Sequence, residues 1–301
     1  MRVSLVPQLL MVSLLSLLLT ACGGGGSSSP APEPEEANTI SVFGTDGPMA
    51  AADIAVYHLQ DYLTDSDTDD NLLVADVTSD AVTALADNLE LTLDAGTGPF
   101  MVVVTANDDT IDLTTGQPPV ISQVRTIAKN IDTLTAMRFY ATPLTTIAVA
   151  IASNSDSDAA TVLDNLVNAQ AAAKAFFGFG MAADIDIFSV PPILDENTTS
   201  TDSQKAVAQY RGAIESLAFI VENEALDFTA LTNDAADGIL NNAEVITAVQ
   251  NLNVIDVMSR ISVASIAELL DEDATGLVNY PINAVVDDEA PVGVIDSDAD
   301  G

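Results

Sequence analysis

The chain has 301 residues, with 45 Asp and Glu against 8 Lys and Arg, and its formal net charge at pH 7 is −37. So few basic residues cannot neutralise a run of phosphates, which argues against nucleic-acid binding. The single Cys excludes a disulfide framework, and the single His excludes a multi-histidine metal site. A hydrophobic content of 48% is that of a globular protein, and the length predicts about two domains.

Residues 1–21 form a predicted signal peptide. Arg2 supplies the positive charge, and the apolar run from Leu9 to Leu19 is shorter than the about 20 residues of a membrane span. The sequence Leu19-Thr20-Ala21-Cys22 that follows resembles the lipobox of bacterial lipoproteins. The resemblance implies cleavage before Cys22, acylation of that residue and anchoring of the mature chain in a membrane. In that family an Asp directly after the lipidated Cys retains the protein in the inner membrane. This chain has Gly23 at that position, so the resemblance implies that the protein is located in the outer membrane of the cell envelope.

Residues 22–38 combine the lipidated Cys with a tether rich in Gly, Ser, Pro and Glu. The Gly/Ser half is typical of a flexible coil, and the Pro/Glu half is typical of a stiffer, extended spacer. None of the 45 acidic residues precedes Cys22. The mature chain is therefore strongly anionic. We expect an anionic lipid surface to repel the part of the chain that follows the lipid anchor.

Residues 39–141 have the pattern of a β-domain. Short apolar runs separated by turn signals predict strands from Ile40 to Gly44, Asp53 to His58, Leu89 to Leu93 and Phe100 to Val104, with further strands within 120–128 and 137–140. Short strands at regular spacing predict an antiparallel β-sandwich.

Two sequence segments in this region resemble a known family of domains. The stretch from Asp46-Gly47-Pro48 to Val56, and the stretch from Gly98 to Val104, are similar to repeating phrases of the prealbumin-like, carboxypeptidase-regulatory-type domains of bacterial surface proteins. The resemblance covers about a third of the chain and implies a non-catalytic spacer or interaction module.

Residues 142–271 change to a helical periodicity and predict a helical bundle. Pro143 begins a first helix, Asp158 to Phe177 a second that Gly178 caps, Gln204 to Asn223 a third, Asn242 to Met258 a fourth and Val263 to Leu270 a fifth. The stretch 141–148 also looks like the helical region that follows such sandwiches in uncharacterised bacterial lipoproteins. Residues 272–301 form an acidic tail, and the predicted fold class is α+β in two domains.

Three acidic segments have spacings typical of calcium loops, in which oxygen ligands occupy set positions. In the first, Asp65, Asp67, Asp69 and Asp76 match positions 1, 3, 5 and 12, although Asp70 replaces the Gly of position 6. The alternative is a solvated acidic loop.

The second segment begins at Asn233, with Asp237, Gly238, Leu240 and Glu244 at positions 5, 6, 8 and 12 of an EF-hand loop. Ala235 supplies no ligand at position 3, so the favoured interpretation is a helix–turn–helix corner. The third segment, Asp296, Asp298 and Asp300 before Gly301, is half of such a loop. Its alternative is an acidic chain end.

Hydrolytic chemistry finds little support in the sequence. His58, the one candidate base, falls in a strand pattern, and no nucleophile elbow, zinc-protease or Walker motif occurs. A hydrolase that uses paired carboxylates remains a third hypothesis, but the chain has no Trp and 5% aromatic residues. The leading hypothesis is a non-enzymatic binding or scaffolding lipoprotein that contacts the membrane through its lipid and an envelope or extracellular protein through its body. A calcium-responsive module that binds Ca²⁺ is the alternative.

Overall fold

The computed structural model of this protein describes residues 38–44, 49–64, 72–78, 91–93, 98–112, 115–129, 137–154, 158–192 and 200–252. Within these ranges the chain forms both strands and helices, which confirms the predicted α+β class. The strands are β1 (Asn38–Gly44), β2 (Met49–Ala50), β3 (Asp53–His58), β4 (Leu72–Thr78), β5 (Leu91–Leu93), β6 (Phe100–Thr105), β7 (Ile111–Asp112), β8 (Gln123–Ala128) and β9 (Met137–Ala141). The helices are α1 (Leu59–Thr64), α2 (Pro143–Ser153), α3 (Ala159–Phe177), α4 (Thr201–Asn223), α5 (Phe228–Ala235) and α6 (Ala243–Gln250).

The largest sheet is antiparallel and has the order β4-β3-β6-β8. Strand β6 lies inside it and is buried on both faces, as its continuous apolar run predicts. Ile54 of β3 lies opposite Val104 of β6, so the two phrases of the family resemblance are hydrogen-bonded neighbours.

A second sheet has the order β5-β1-β9, and β2 pairs with β7. Strands β1 and β9 run parallel, with Val42 opposite Phe139. This pairing departs from the predicted antiparallel arrangement. The two strands are far apart in the chain, and a parallel pair requires a long crossover rather than a hairpin.

Gly44, at the end of β1, is buried against Val104 of β6. A Cβ atom at position 44 would overlap the Cγ1 atom of Val104. The missing side chain therefore allows the second sheet to approach the first closely.

The first three predicted helices are confirmed, together with the start of the first at Pro143 and the C-cap of the second at Gly178. Thr142 caps α2, Asp158 caps α3 and Gly178 ends α3. The predicted fourth helix, Asn242 to Met258, is shorter than expected: α6 ends at Gln250, and Asn251 is its C-cap. Residues 253–258 and the predicted fifth helix lie outside the described residues. Helices α1 and α5 and strands β2, β4 and β7 were not predicted from the sequence.

The strand-rich and helical regions share one hydrophobic core. Helix α2 packs against both β8 and α3, and the described elements belong to one compact unit. The predicted domain boundary near residue 142 is not visible as a gap in this packing, because the start of α2 is itself part of the contact.

Candidate functional site

A polar cleft of about 200 Å³ lies where the start of β8 meets α2, the end of α4 and α5. Polar side chains outnumber apolar ones in its lining, and Phe228 supplies the one aromatic ring. The lining residues are Val120, Ser122, Gln123, Arg125, Thr146, Val221, Leu226, Asp227, Phe228, Thr229, Thr232 and Asn233. A concave surface with converging polar groups is the default candidate for a binding site.

The most deeply buried part of the lining consists of Thr146, Val221 and Thr232, which are 2%, 4% and 4% exposed. The hydroxyl of Thr232 donates to the carbonyl of Phe228 at 2.8 Å, and that of Thr146 donates to the carbonyl of Thr142 at 2.8 Å. Both hydroxyl protons are thus committed to helix backbone, so a ligand would meet acceptors rather than donors here.

The rim of the cleft is formed by exposed polar side chains on two sides. Ser122 and Gln123 lie at the start of β8, and Asp227, Thr229 and Asn233 lie on or beside α5. Asp227 is the N-cap of α5, because its Oδ1 atom accepts a hydrogen bond from the Thr229 amide at 2.9 Å. This bond fixes the Asp227 carboxylate at the edge of the cleft.

Arg125 is the cation of the lining. It is half-buried, and its Nη1 atom donates to the hydroxyl of Tyr62 at 3.2 Å. The ring of Tyr62 lies 5.3 Å from that of Tyr57, so this hydrogen bond joins Arg125 to one member of an aromatic pair. With Asp227, the lining carries one positive and one negative side chain. The hydrolase hypothesis would need two carboxylates about 5–9 Å apart, and this lining supplies one.

The first turn of α2 completes the outer edge of β8, which forms one wall of the cleft. The Arg125 amide donates to Oγ1 of Thr146 at 2.8 Å, and Oγ1 of Thr145 donates to the Arg125 carbonyl at 2.8 Å. The same turn has a capping box in which Thr145 replaces the usual Glu: the Thr142 amide donates to Oγ1 of Thr145 at 2.8 Å. The hydroxyls of two adjacent threonines therefore form hydrogen bonds with the Arg125 amide and carbonyl, backbone groups that an edge strand would otherwise leave without a partner.

Tyr210 of α4 forms a further contact with this turn. Its hydroxyl donates to the carbonyl of Ile187 at 2.9 Å and lies 2.8 Å from Oγ1 of Thr142. Since the phenol has one proton, the Thr142 hydroxyl is the donor in the second contact. Burial raises the pKa of Tyr210, so the phenol stays protonated. Its role is structural, because a neutral buried phenol is no base at physiological pH.

The loop between α3 and α4 is held by a lysine. Nζ of Lys174 donates to the carbonyl oxygens of Ala183 and Ile185 at 2.6 and 2.7 Å. Burial lowers the pKa of Lys174, while the carboxylates of Asp186 and Asp184 oppose that shift. The ammonium thus donates hydrogen bonds to two backbone carbonyls and interacts electrostatically with the carboxylates of Asp184 and Asp186.

A buried ion pair lies within α4. Arg211 and Glu215 are one turn apart, with Nη2 and Oε1 separated by 2.8 Å and side-chain exposures of 10% and 0%. The pair was not predicted from the sequence, since (i, i+4) charges on a helix are usually solvated.

The predicted second calcium segment forms the connection between α5 and α6. Gly238 has a φ of 83° and Leu240 is buried, as both the EF-hand and the helix–turn–helix interpretations require. Asn233, Asp237 and Glu244 are exposed. Oδ1 of Asp237 accepts a hydrogen bond from the Ile239 amide at 2.9 Å, which is the turn geometry of the helix–turn–helix interpretation.

The other predicted site residues mostly fall outside the described part of the chain. These are Cys22, Asp65, Asp67, Asp69, Asp296, Asp298 and Asp300. Asp76 belongs to β4, whose backbone pairs with β3. Among the described residues, no three His, Cys, Asp or Glu side chains are grouped so that they could hold a metal ion.

His58 is the last residue of β3, in agreement with its strand pattern. Its ring stacks on that of Phe100 at a centroid distance of 5.3 Å. In the ranges that the structure describes, no helix is both long and apolar enough to cross a membrane.

Comparison with known proteins matched the chain to no family model, no curated protein and no solved structure. The candidate site therefore has to be interpreted from its own residues.

Sequence reasoning missed the cleft because it missed α5. Asp227 before Phe228 and Thr229 is an N-cap signal that could have marked the start of this helix. The pairing of Thr145 and Thr146 with Arg125 had no sequence signal, since it joins residues about twenty positions apart.

Proposed function

We propose that this protein is a membrane-anchored lipoprotein of the bacterial cell envelope that acts as a non-enzymatic binding or scaffolding module. The observation that carries the proposal is the sequence Leu19-Thr20-Ala21-Cys22 directly after a short apolar run. A thiol at this place is the acceptor for lipid in the lipobox family, and several acyl chains on one residue give stable anchoring.

The segment after Cys22 supports the same function. Residues 23–37 contain Gly, Ser, Pro and Glu and no large apolar side chain, so they have little tendency to pack. Such a segment holds a folded body away from the lipid surface. The excess of acids in that body favours solubility and opposes adsorption to anionic lipid.

The finer architecture belongs to this proposal. We propose that the sheets β5-β1-β9 and β4-β3-β6-β8 are the two layers of a sandwich, supported by the contact of Gly44 with Val104 between them. In the family that the sequence resembles, this domain is a spacer or interaction module. The helical region that follows would then be the second functional part, and the polar cleft lies where the two meet.

Fractionation of cells that express the full chain tests the anchor. Cys22→Ser is expected to move the protein from the membrane to the soluble fraction and to abolish incorporation of labelled palmitate. Gly26→Ser, four residues away in the tether, serves as the matched control and is expected to remain in the membrane. Membrane retention of Cys22→Ser would reject the anchor.

A calcium-responsive module is the second candidate, favoured by the left-handed Gly238 and the buried Leu240 in the turn after α5. Calorimetric titration with millimolar Ca²⁺ tests it, together with the melting temperature. Binding that is lost in Asp237→Asn and kept in Glu224→Gln, an exposed acid outside the segments, would support it. An absence of heat and of any melting shift would reject it.

A further inference from the structure

The polar cleft has the properties of a site for an uncharged ligand. Its lining carries one cation, Arg125, and one anion, Asp227, so it favours neither sign of charge strongly. The chain as a whole has a net charge of −37, which disfavours anions near its surface. Asp227 also neutralises the positive end of α5 by capping it, which removes a common source of anion binding.

The rim is rich in groups that both donate and accept hydrogen bonds. Ser122 and Thr229 carry hydroxyls and Asn233 a carboxamide, and all three residues are exposed members of the lining. Gln123 is exposed as well, but its Nε2 atom already donates to Oγ1 of Thr105 at 3.1 Å, so its carboxamide oxygen is the group it offers. A hydroxyl or a carboxamide can pair with another hydroxyl in either direction. A ligand with adjacent hydroxyl groups matches such a rim better than a ligand that only donates or only accepts.

The cleft also offers an apolar surface of limited size. Phe228, which is half-buried, and the buried Val221 both belong to the lining. A volume of about 200 Å³ is below the about 300–1,000 Å³ of sites for drug-sized molecules. The space therefore suits one small ring with a C–H face and polar substituents.

We propose that this cleft binds a single neutral pyranose ring, with the rim amides and hydroxyls on the sugar hydroxyls and Phe228 against a C–H face. The ring can come from a free monosaccharide or from the end of a glycan chain. This inference gives the proposed binding module a ligand, but it does not depend on the lipid anchor.

The test uses the chain from residue 22 onward with Cys22→Ser, which contains the tether and the complete body without lipid. Glucose, galactose, mannose and N-acetylglucosamine are each titrated to about 50 mM into ¹⁵N-labelled protein, since single-ring affinities are expected near millimolar. Sorbitol is the matched probe, because it has the hydroxyls of a hexose but no ring. At least one pyranose is expected to shift the amide signals of residues 121–125 and 226–233, and sorbitol is expected to leave them unchanged.

Asn233→Ala is expected to weaken the binding about fivefold, the effect of one hydrogen bond. The substitution lies in the last turn of α5, where Ala favours the helix. Asn241→Ala changes an exposed Asn outside the cleft and is expected to have no effect. Absence of shifts with all four sugars, equal shifts with sorbitol, or an unchanged affinity in Asn233→Ala would each overturn the proposal.

Disaccharides of the same sugars identify the source of the ring. Tighter binding of cellobiose than of glucose, or of chitobiose than of N-acetylglucosamine, assigns the site to a glycan end, and equal binding assigns it to a free sugar. Because the variant carries no lipid, failure of this titration leaves the membrane-fraction test of the anchor unaffected.

Discussion

The hydroxyl of Tyr210 lies 2.8 Å from Oγ1 of Thr142 and joins α4 to the first turn of α2. Both residues are completely buried, so neither can exchange this contact for water. The same phenol donates to the Ile187 carbonyl, and it therefore connects three segments that are distant in the sequence. This contact holds the α2 turn that supports β8 and the wall of the cleft.

Tyr210→Phe is expected to destabilise the protein by about 1–3 kcal/mol, because it leaves Thr142 Oγ1 and the Ile187 carbonyl without this buried partner. Urea unfolding followed by circular dichroism measures the effect. Tyr62→Phe is the matched control, since it removes a hydroxyl that is half-buried and accepts one bond. An equal or larger loss for Tyr62→Phe would contradict the assigned role of Tyr210.

Thr146→Val is expected to expose the edge of β8 to solvent exchange. The substitution keeps the shape of the side chain but removes the acceptor of the Arg125 amide, at a cost of about 1–2 kcal/mol. Hydrogen exchange at the Arg125 amide should become faster, while the amides of β6 stay protected. Thr247→Val, at an exposed position of α6, is the control. An unchanged exchange rate at Arg125 would show that the hydroxyl does not protect the strand edge.

Two glycines are expected to respond differently to substitution by Ala. Gly44→Ala forces a Cβ atom against Cγ1 of Val104, and because Val is stiff and buried, overpacking should cost about 1–3 kcal/mol. Gly238→Ala meets no atom within 4 Å but must adopt a φ of 83°, which should cost about 1–2 kcal/mol. Thermal unfolding gives both values. A second substitution, Val104→Ala, should recover part of the Gly44→Ala loss and none of the Gly238→Ala loss.

Lys174→Met is expected to lower the free energy of unfolding by about 1–3 kcal/mol near neutral pH, because the buried contact to the Ile185 carbonyl and the part-buried contact to the Ala183 carbonyl both lose their donor. Lys205→Met, at an exposed position of α4, is the control for the loss of a lysine. If Lys174→Met lowers the free energy of unfolding no more than Lys205→Met does, the result would contradict a stabilising role for the contact of Lys174 with the loop.

The pH dependence of that loss follows from the lowered pKa of Lys174, which burial causes. The folded chain releases this proton at a lower pH than the unfolded chain, in which the lysine titrates near 10.5. Between the folded pKa and 10.5 the unfolded state binds more protons, so stability rises with pH. The difference in stability between the wild type and Lys174→Met should therefore increase as the pH is raised from neutral towards 10.5. A difference that is flat or falls over this range would contradict the direction of the shift.

Elements with a local signal were predicted well from the sequence. Helix α3 has an N-cap at Asp158 and a C-cap at Gly178 beside a regular apolar stripe, and β6 has an apolar run buried on both faces. Strand β4 was not predicted because Asp76 also fits position 12 of the acidic segment before it, a spacing typical of a calcium loop. Helix α5 was not predicted because eight residues are too few for a clear apolar stripe.

The sequence by itself determined the α+β class, the main helices and the lipobox interpretation, because each rests on residues close together in the chain. Only the tertiary structure decided the partners of residues far apart: Gly44 with Val104, Lys174 with the loop after α3, and Tyr210 with Thr142. It also decided the position of the polar cleft, since that cleft exists only where β8, α2, α4 and α5 meet. The net charge of −37 argues against nucleic-acid binding from the sequence alone, whereas the presence of one cation, Arg125, and one anion, Asp227, in the same lining follows only from the tertiary structure.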